Sequence, residues 1–223
     1  MLERTDRAGL VLRPASLVEA LRERTRDLHV QAERSGIIAD ILKGRITRED
    51  YGRLLRSLHV VYQALEQQLV RRAASSAIAP IARPELERAN AIADDLRYFD
   101  PDVRPQPPAV ARYVNSIIAA SEGDGSRLIA HAYARYLGDL SGGQILSRLL
   151  ARSLDLPPEA LSFYAFPAIT DIAAFKSDYR AAIDRAGDES EVFDAVVEEA
   201  ALAFELNIDL SLSLQANATR DGS

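Results

Sequence analysis

Apolar residues recur at three- and four-residue spacings along almost the whole chain. No stretch alternates in the two-residue rhythm of a strand bounded by hairpin turns. Leu17, Leu21, Leu28 and Ala32 form one helical stripe, opened by Ser16 and Glu19 in a capping-box arrangement and stopped near Ser35-Gly36. A short apolar piece, 37–42, ends at Lys43-Gly44. Thr47 caps the next helix, which carries Tyr51, Leu54, Leu55, Leu58, Tyr62, Leu65 and Leu69. Pro84 suits the first turn of a helix running through Leu86 to Tyr98. Asp100-Pro101 and Pro105, Pro107 and Pro108 break the chain before a helix over 108–120. Residues 123–126 (Gly-Asp-Gly-Ser) turn into a glycine-bearing helix that Pro157-Pro158 closes, and an aromatic loop or short turn comes next at 163–167. Thr170 or Asp171 starts a helix ending near Gly187, and Asp188 with Glu191 caps a last one reaching about Leu214. The pattern predicts an all-α fold, a compact multi-helix bundle, as a single domain over 1–223 with frayed ends at 1–13 and 217–223.

One helix breaks its own rules. Residues 131–144 read His-Ala-Tyr-Ala-Arg-Tyr-Leu-Gly-Asp-Leu-Ser-Gly-Gly-Gln. Each mid-helix glycine costs about 1 kcal/mol relative to alanine, so three close together need a reason. Gly138 and Gly142 share a face, and Asp139 sits beside it. Two readings stand: a helix crossing that requires small residues, or a bent helix pressed against a flat ligand with one acid near it.

Composition narrows the chemistry. The chain is 48% hydrophobic, poor in aromatic residues and without Trp, which favours helices. It has no cysteine, which excludes disulfides, thiolate metal sites, Fe–S clusters and cysteine nucleophiles, and fits a reducing compartment. No apolar run approaches the roughly 20 residues of a membrane span, and the charged first residues lack the apolar stretch of a signal peptide. A soluble, cytoplasmic protein with no membrane partner is the expectation. A net charge of −6 argues against nucleic acid as a partner.

Three histidines are present. None follows a Glu at i−3, and no His-Glu-x-x-His zinc pattern, phosphate-cradling loop or nucleophile elbow occurs. Glu33 lies one helical turn after His29. A carboxylate there can accept from one ring nitrogen and leave the other for a metal. Arg22, seven residues earlier, would lie about 10 Å along the axis, a distance suited to the acidic edge of a flat cofactor. An ordinary i,i+4 pair beside a solvated Arg explains the same spacing. His131 lies about 10 Å from Gly138 along its helix, and it and His59 read as structural. Lys176 and Arg180, four apart, form either a carboxylate clamp or a solvated basic face.

These residues carry a resemblance. Residues 136–144 (Tyr-Leu-Gly-Asp-Leu-Ser-Gly-Gly-Gln) are similar to the distal-helix signature of biliverdin-forming haem oxygenases of bacterial type, and residues 21–33 to their proximal-helix motif. Segments 58–66, 175–180 and 203–207 also match, so the resemblance spans about 17–212. It implies haem between a proximal helix and a kinked, glycine-rich distal helix, with His29 as iron ligand and Glu33 orienting it. It further implies Gly138 and Gly142 as the close distal wall, and Asp139, Tyr62 and Arg135 as members of a distal water network. Arg22, Tyr133, Lys176 and Arg180 match positions holding the propionates, with Arg22 where many members have Lys. Gly143, Phe204 and Asn207 match positions around the cofactor. Haem is then both cofactor and substrate. It is cleaved with O2 and electrons from a ferredoxin, flavodoxin or reductase to biliverdin, the IXα isomer by resemblance, with CO and Fe2+. The absence of an apolar tail after Leu214, unlike membrane-tethered relatives, agrees with a soluble enzyme. A haem carrier or sensor is the main alternative. A thiaminase II relative lacks its cysteine here, and a purely structural helical protein leaves the glycines unexplained.

Overall fold

Local signals set the helix boundaries in the computed structural model, which describes residues 16–101, 104–187 and 190–218. The expected frayed segment 1–13, residues 219–223 of the other expected frayed end and the Asp188 cap lie outside them, while 217–218 are helical. Helix α1 (Leu17–Arg34) opens where the Ser16 hydroxyl accepts from the Glu19 amide at 3.2 Å. Helix α2 (Gly36–Leu42) begins at once, because Gly36 turns the chain at φ +61°. Only glycine fits there: an added Cβ would lie 2.4 Å from the Ser211 backbone. Thr47 caps α3 (Arg48–Arg71) by accepting from the Asp50 amide.

The helix expected over 84–98 is three pieces instead: a 3₁₀ turn (Pro84–Leu86), α4 (Ala89–Asp95) and a second 3₁₀ turn (Leu96–Tyr98). The reason is tertiary. The Glu66 carboxylate, on α3, accepts from the Arg88 and Ala89 amides, so the helix restarts there. Helix α5 (Pro108–Ala120) forms as expected, and α6 (Leu128–Ala132) leads into a π-helical segment (Tyr133–Leu137) and α7 (Gly138–Leu154). A bent helix is one of the two readings that the glycines allow. The structure places the irregularity in the turn before them, where the wide π turn re-aims the whole of α7. Helix α7 stops at Asp155, in the left-handed region at φ 50°. The loop after it holds two 3₁₀ turns (Pro158–Ala160, Ser162–Tyr164), and Asp171 caps α8 (Ile172–Ala186). Helix α9 (Ser190–Ala218) runs past the expected end at Leu214.

Among the described residues there is no strand. Helices α1, α2, α5 and α6 all pack on α9, while α3 packs on α4 and α5. Buried Ala200, Ala201 and Ala203 let neighbours approach α9 closely. One hydrophobic core joins Leu21, Leu55, Leu65, Ile117 and Ile183 with the fully buried rings of Tyr51, Tyr113 and Tyr179. Each such aliphatic side chain contributes about 1.5–3 kcal/mol by leaving water. This packing holds α1 and the π–α7 segment apart as two walls of a cavity.

Candidate functional site

The cavity has a volume of about 1050 Å³ and is bounded by α1, α2, the π–α7 segment and the α9 residues from Phe204 to Ser211. Leu54 and Leu58 of α3, Phe163 and Tyr164 of the aromatic loop, and Arg180 of α8 complete it. It is at the upper end of the usual range for small-molecule sites.

On the α1 wall, His29 is well exposed, with 57% of its side chain accessible. Glu33 Oε1 lies 3.7 Å from its Nδ1, one helical turn away, and the imidazole is tilted 45° against Phe204 at 6.0 Å between centroids. A weak partner on Nδ1 and an apolar ring beside it orient the imidazole without burying it. Among the described residues, no cluster of three or more His, Asp or Glu side chains is set to hold a bare metal ion. A metal at His29 therefore has to arrive in a group that brings its own ligands.

The facing helix explains its glycines. A Cβ added at Gly138 or Gly142 would meet nothing within 4 Å. No neighbouring helix presses on them, so the helix-crossing reading fails and the space beyond them is the cavity itself. Gly143 differs: a Cβ there would lie 3.1 Å from Tyr164 Cδ1, a tight contact that the aromatic loop would have to ease by a few tenths of an ångström.

Behind the glycines lies a buried polar group. Asp139 lines the cavity, and the Tyr62 hydroxyl donates to its Oδ2. Arg135 donates to the Tyr62 oxygen and lies 3.6 Å from Asp139 through Nη2. Its Nη1 donates to Asn207 Oδ1 at 2.6 Å, and Asn207 is fixed in turn on Ala203 O. Burial pushes the Asp139 carboxyl above its ordinary range, opposed by Arg135, Tyr62 and Arg88. Burial works against the Arg135 charge, but Tyr62, Asp139 and Tyr113 more than offset it and hold the guanidinium protonated. The arrangement can keep one carboxyl at the cavity wall and exchange its proton with water.

Twelve of the fourteen residues singled out from sequence line the cavity: His29, Arg22, Glu33, Tyr133, Arg135, Gly138, Asp139, Gly142, Gly143, Arg180, Phe204 and Asn207. Tyr62 is completely buried and meets the cavity through the lining residues it touches, Asp139, Arg135 and Phe163. Lys176 is off the wall, half-buried on α8, where burial and the nearby Arg180 charge lower its pKa. Arg26, one turn after Arg22, also lines the cavity; sequence reasoning misses it, although the i,i+4 spacing is available as a signal. Phe163 and Tyr164, which the sequence marks only as a loop, line it too. His131 is fully buried, with Nε2 2.9 Å from Glu199 Oε1, in keeping with a structural role.

This geometry has solved counterparts. The structure of a haem oxygenase from Leptospira interrogans superimposes with a TM-score of 0.83 at 38% identity, covering 88% of this chain and 98% of that one. Haem oxygenase-1 of the cyanobacterium Synechocystis, solved in complex with haem, gives 0.86 at 31% identity, covering 93% and 96%. Human haem oxygenase 1 is 40% identical over 215 residues, covering 93% of this chain and 75% of the human protein. Residues 15–213 match the profile of the family described as "Heme oxygenase". With that profile spanning nearly all described residues, and a histidine and bare glycine backbone lining one cavity, the chain belongs to the haem oxygenase family.

Proposed function

We infer that this chain takes haem into the cavity between α1 and the π–α7 segment and opens it oxidatively to biliverdin, CO and Fe2+. The observation that carries this reading is the open space over Gly138 and Gly142, in a cavity that also contains an accessible His29. A planar group fits where two side chains have been omitted and nothing of the protein fills their place.

Bound haem supplies the iron that activates O2 and the macrocycle that is cleaved. The protein's part is positional. His29 offers a ring nitrogen to the iron while Glu33 steadies the other. Gly138 and Gly142 would present main chain rather than side chains to the bound group. Asp139, held by Tyr62 and Arg135, keeps a carboxyl at the wall; its raised pKa suits it to hold a proton and pass it through water. Arg22 and Arg180 are cavity-lining cations suited to the propionate edge, with Tyr133 beside them. Lys176 contributes positive potential next to Arg180 rather than a direct contact. Gly143, Phe204 and Asn207 shape the pocket.

O2 and a one-electron donor such as a ferredoxin, a flavodoxin or a reductase complete the proposal, as do the IXα isomer and a single domain over 1–223. A cytoplasmic setting fits the lack of cysteine. No helix among the described residues is long and apolar enough to cross a membrane. The test is direct. Haemin is added to the purified protein, then ascorbate or a reduced ferredoxin system in air, and the visible spectrum is monitored. Loss of the Soret band with growth of a biliverdin band is expected; a Soret band that persists makes the chain a carrier.

A further inference from the structure

We propose that Asp95 and Arg88, at the two ends of α4 and outside the cavity, are positioning residues that fix its aromatic wall and thereby the seat of the haem. The proposal deepens the haem-cleaving reading and rests on it.

Asp95 is 0% exposed. Its Oδ1 accepts from the Ser162 amide at 2.7 Å and its Oδ2 from the Phe163 amide at 2.9 Å. Arg88, 5% exposed, sits seven residues earlier, two helical turns away on the same face. Its Nη1 donates to the carbonyls of Phe163 and Ala165, and its guanidinium lies 4.0 Å from the centre of the Phe166 ring. One short helix therefore grips a four-residue loop by two amides and two carbonyls. A third hold comes from the glycine helix, where Gln144 Nε2 donates to Tyr164 O at 2.8 Å.

The gripped loop bears on the site directly. Phe163 and Tyr164 line the cavity. The Phe163 ring meets Tyr62 edge-on at 5.5 Å, behind Asp139, and Tyr164 packs closely on Gly143, 3.1 Å from where a Cβ would stand. Burying a full carboxylate and a guanidinium is costly. A turn held only for stability could be packed with apolar residues instead. Charged groups bonded to main chain fix the loop at one depth, since each bond is short-ranged and directional. That depth sets how far a planar ligand can slide between the glycine helix and the aromatic wall.

Asp95→Asn tests this, because the side-chain amide keeps one acceptor and turns a donor toward a main-chain N–H that also donates. In the haem-free protein the Ser162 and Phe163 amides should exchange about tenfold or more faster, as expected for loss of a hydrogen bond to a charged group. Haemin affinity should fall several-fold, and the biliverdin released should change from one dominant isomer to a mixture. Faster amide exchange with unaltered haemin affinity and isomer pattern would overturn the proposal, as would unaltered exchange. Gln144→Met, at an exposed position, loosens the same loop with little risk to folding. Smaller changes in the same direction are expected, and parental haemin affinity and isomer pattern count against the proposal. If the parent protein binds haemin but never bleaches it, the enzymatic reading fails, while exchange and haemin titration still judge the clamp.

Discussion

Arg135 donates twice to the hydroxyl oxygen of Tyr62, from Nε at 3.0 Å and from Nη2 at 2.9 Å. The hydroxyl's own proton is thereby committed to Asp139. The tyrosine is the relay between them: its oxygen accepts from the guanidinium and its proton goes to the carboxylate. Tyr62→Phe should strand two buried N–H groups and cost about 1.5–3 kcal/mol. It should also let the Asp139 carboxyl rise further, since the tyrosine bond is one of the influences lowering it. Urea denaturation and a pH profile of turnover check the two effects; a parental profile would remove Tyr62 from the proton path.

Gly138→Ala and Gly142→Ala should separate stability from function. Neither added methyl group meets any protein atom, and alanine is favoured over glycine in a helix by about 1 kcal/mol. Both variants should melt at or above the parental temperature yet bind haemin more weakly. Gly36→Ala is the contrast: its positive φ and contact with the Ser211 backbone predict a strongly destabilised protein. Thermal melts with haemin titrations decide; lower melting points for the first two would mean that the open space is not there in solution.

His29→Ala removes an exposed side chain and a single ion-pair partner at 3.7 Å. Stability should change by less than about 0.5 kcal/mol, while the spectrum of bound haem loses its imidazole-ligand form and turnover stops. Exogenous imidazole should restore part of both. A variant with parental spectrum and turnover would exclude this histidine as the iron ligand.

Much of the fold and the site is legible in the linear chain, for a physical reason. His29 with Glu33, the Ser16 and Thr47 caps, and the paired glycines depend on neighbours three to five positions away. The Tyr62–Asp139 bond joins residues 77 positions apart, and only a resemblance could bring them together. The broken helix at 84–98 is hidden because its cap, Glu66, comes from another helix. The π segment is hidden because no residue pattern within 133–137 announces a wider turn. Lys176 and Arg180 look equivalent by spacing, yet the packing of α8 puts only Arg180 on the wall.

That difference is itself testable. Arg180→Leu should weaken haemin binding and mix the biliverdin isomers, whereas Lys176→Leu should lower affinity modestly and leave one isomer dominant. Product chromatography of both variants settles the order; the reverse ranking would return the clamp to Lys176.

Glu66 carries a pH signature. Burial raises its pKa to about 7, against the two amide bonds that favour the anion. The folded state therefore binds a proton that the unfolded chain has already released above its ordinary value near 4.5. Stability should fall as pH rises between about 4.5 and 7 and then level off, by an amount of order 1–3 kcal/mol. Glu66→Gln should flatten this slope. Urea midpoints of both proteins between pH 5 and 8 measure it, and parallel curves would exclude Glu66 as the source.

The wide turn at 133–137 makes the cavity-facing side of α7 a matter of counting. If those five residues wound as a regular α-turn with none removed, everything downstream would swing by about 100°. The acid and its two flanking glycines would then face the interior packing, and the slot would acquire whatever bulky neighbour came round in their place. The side of α7 that meets the cavity thus depends on one surplus residue being absorbed in a wide turn, and removing that residue together with the bulge should keep the same side toward the cavity.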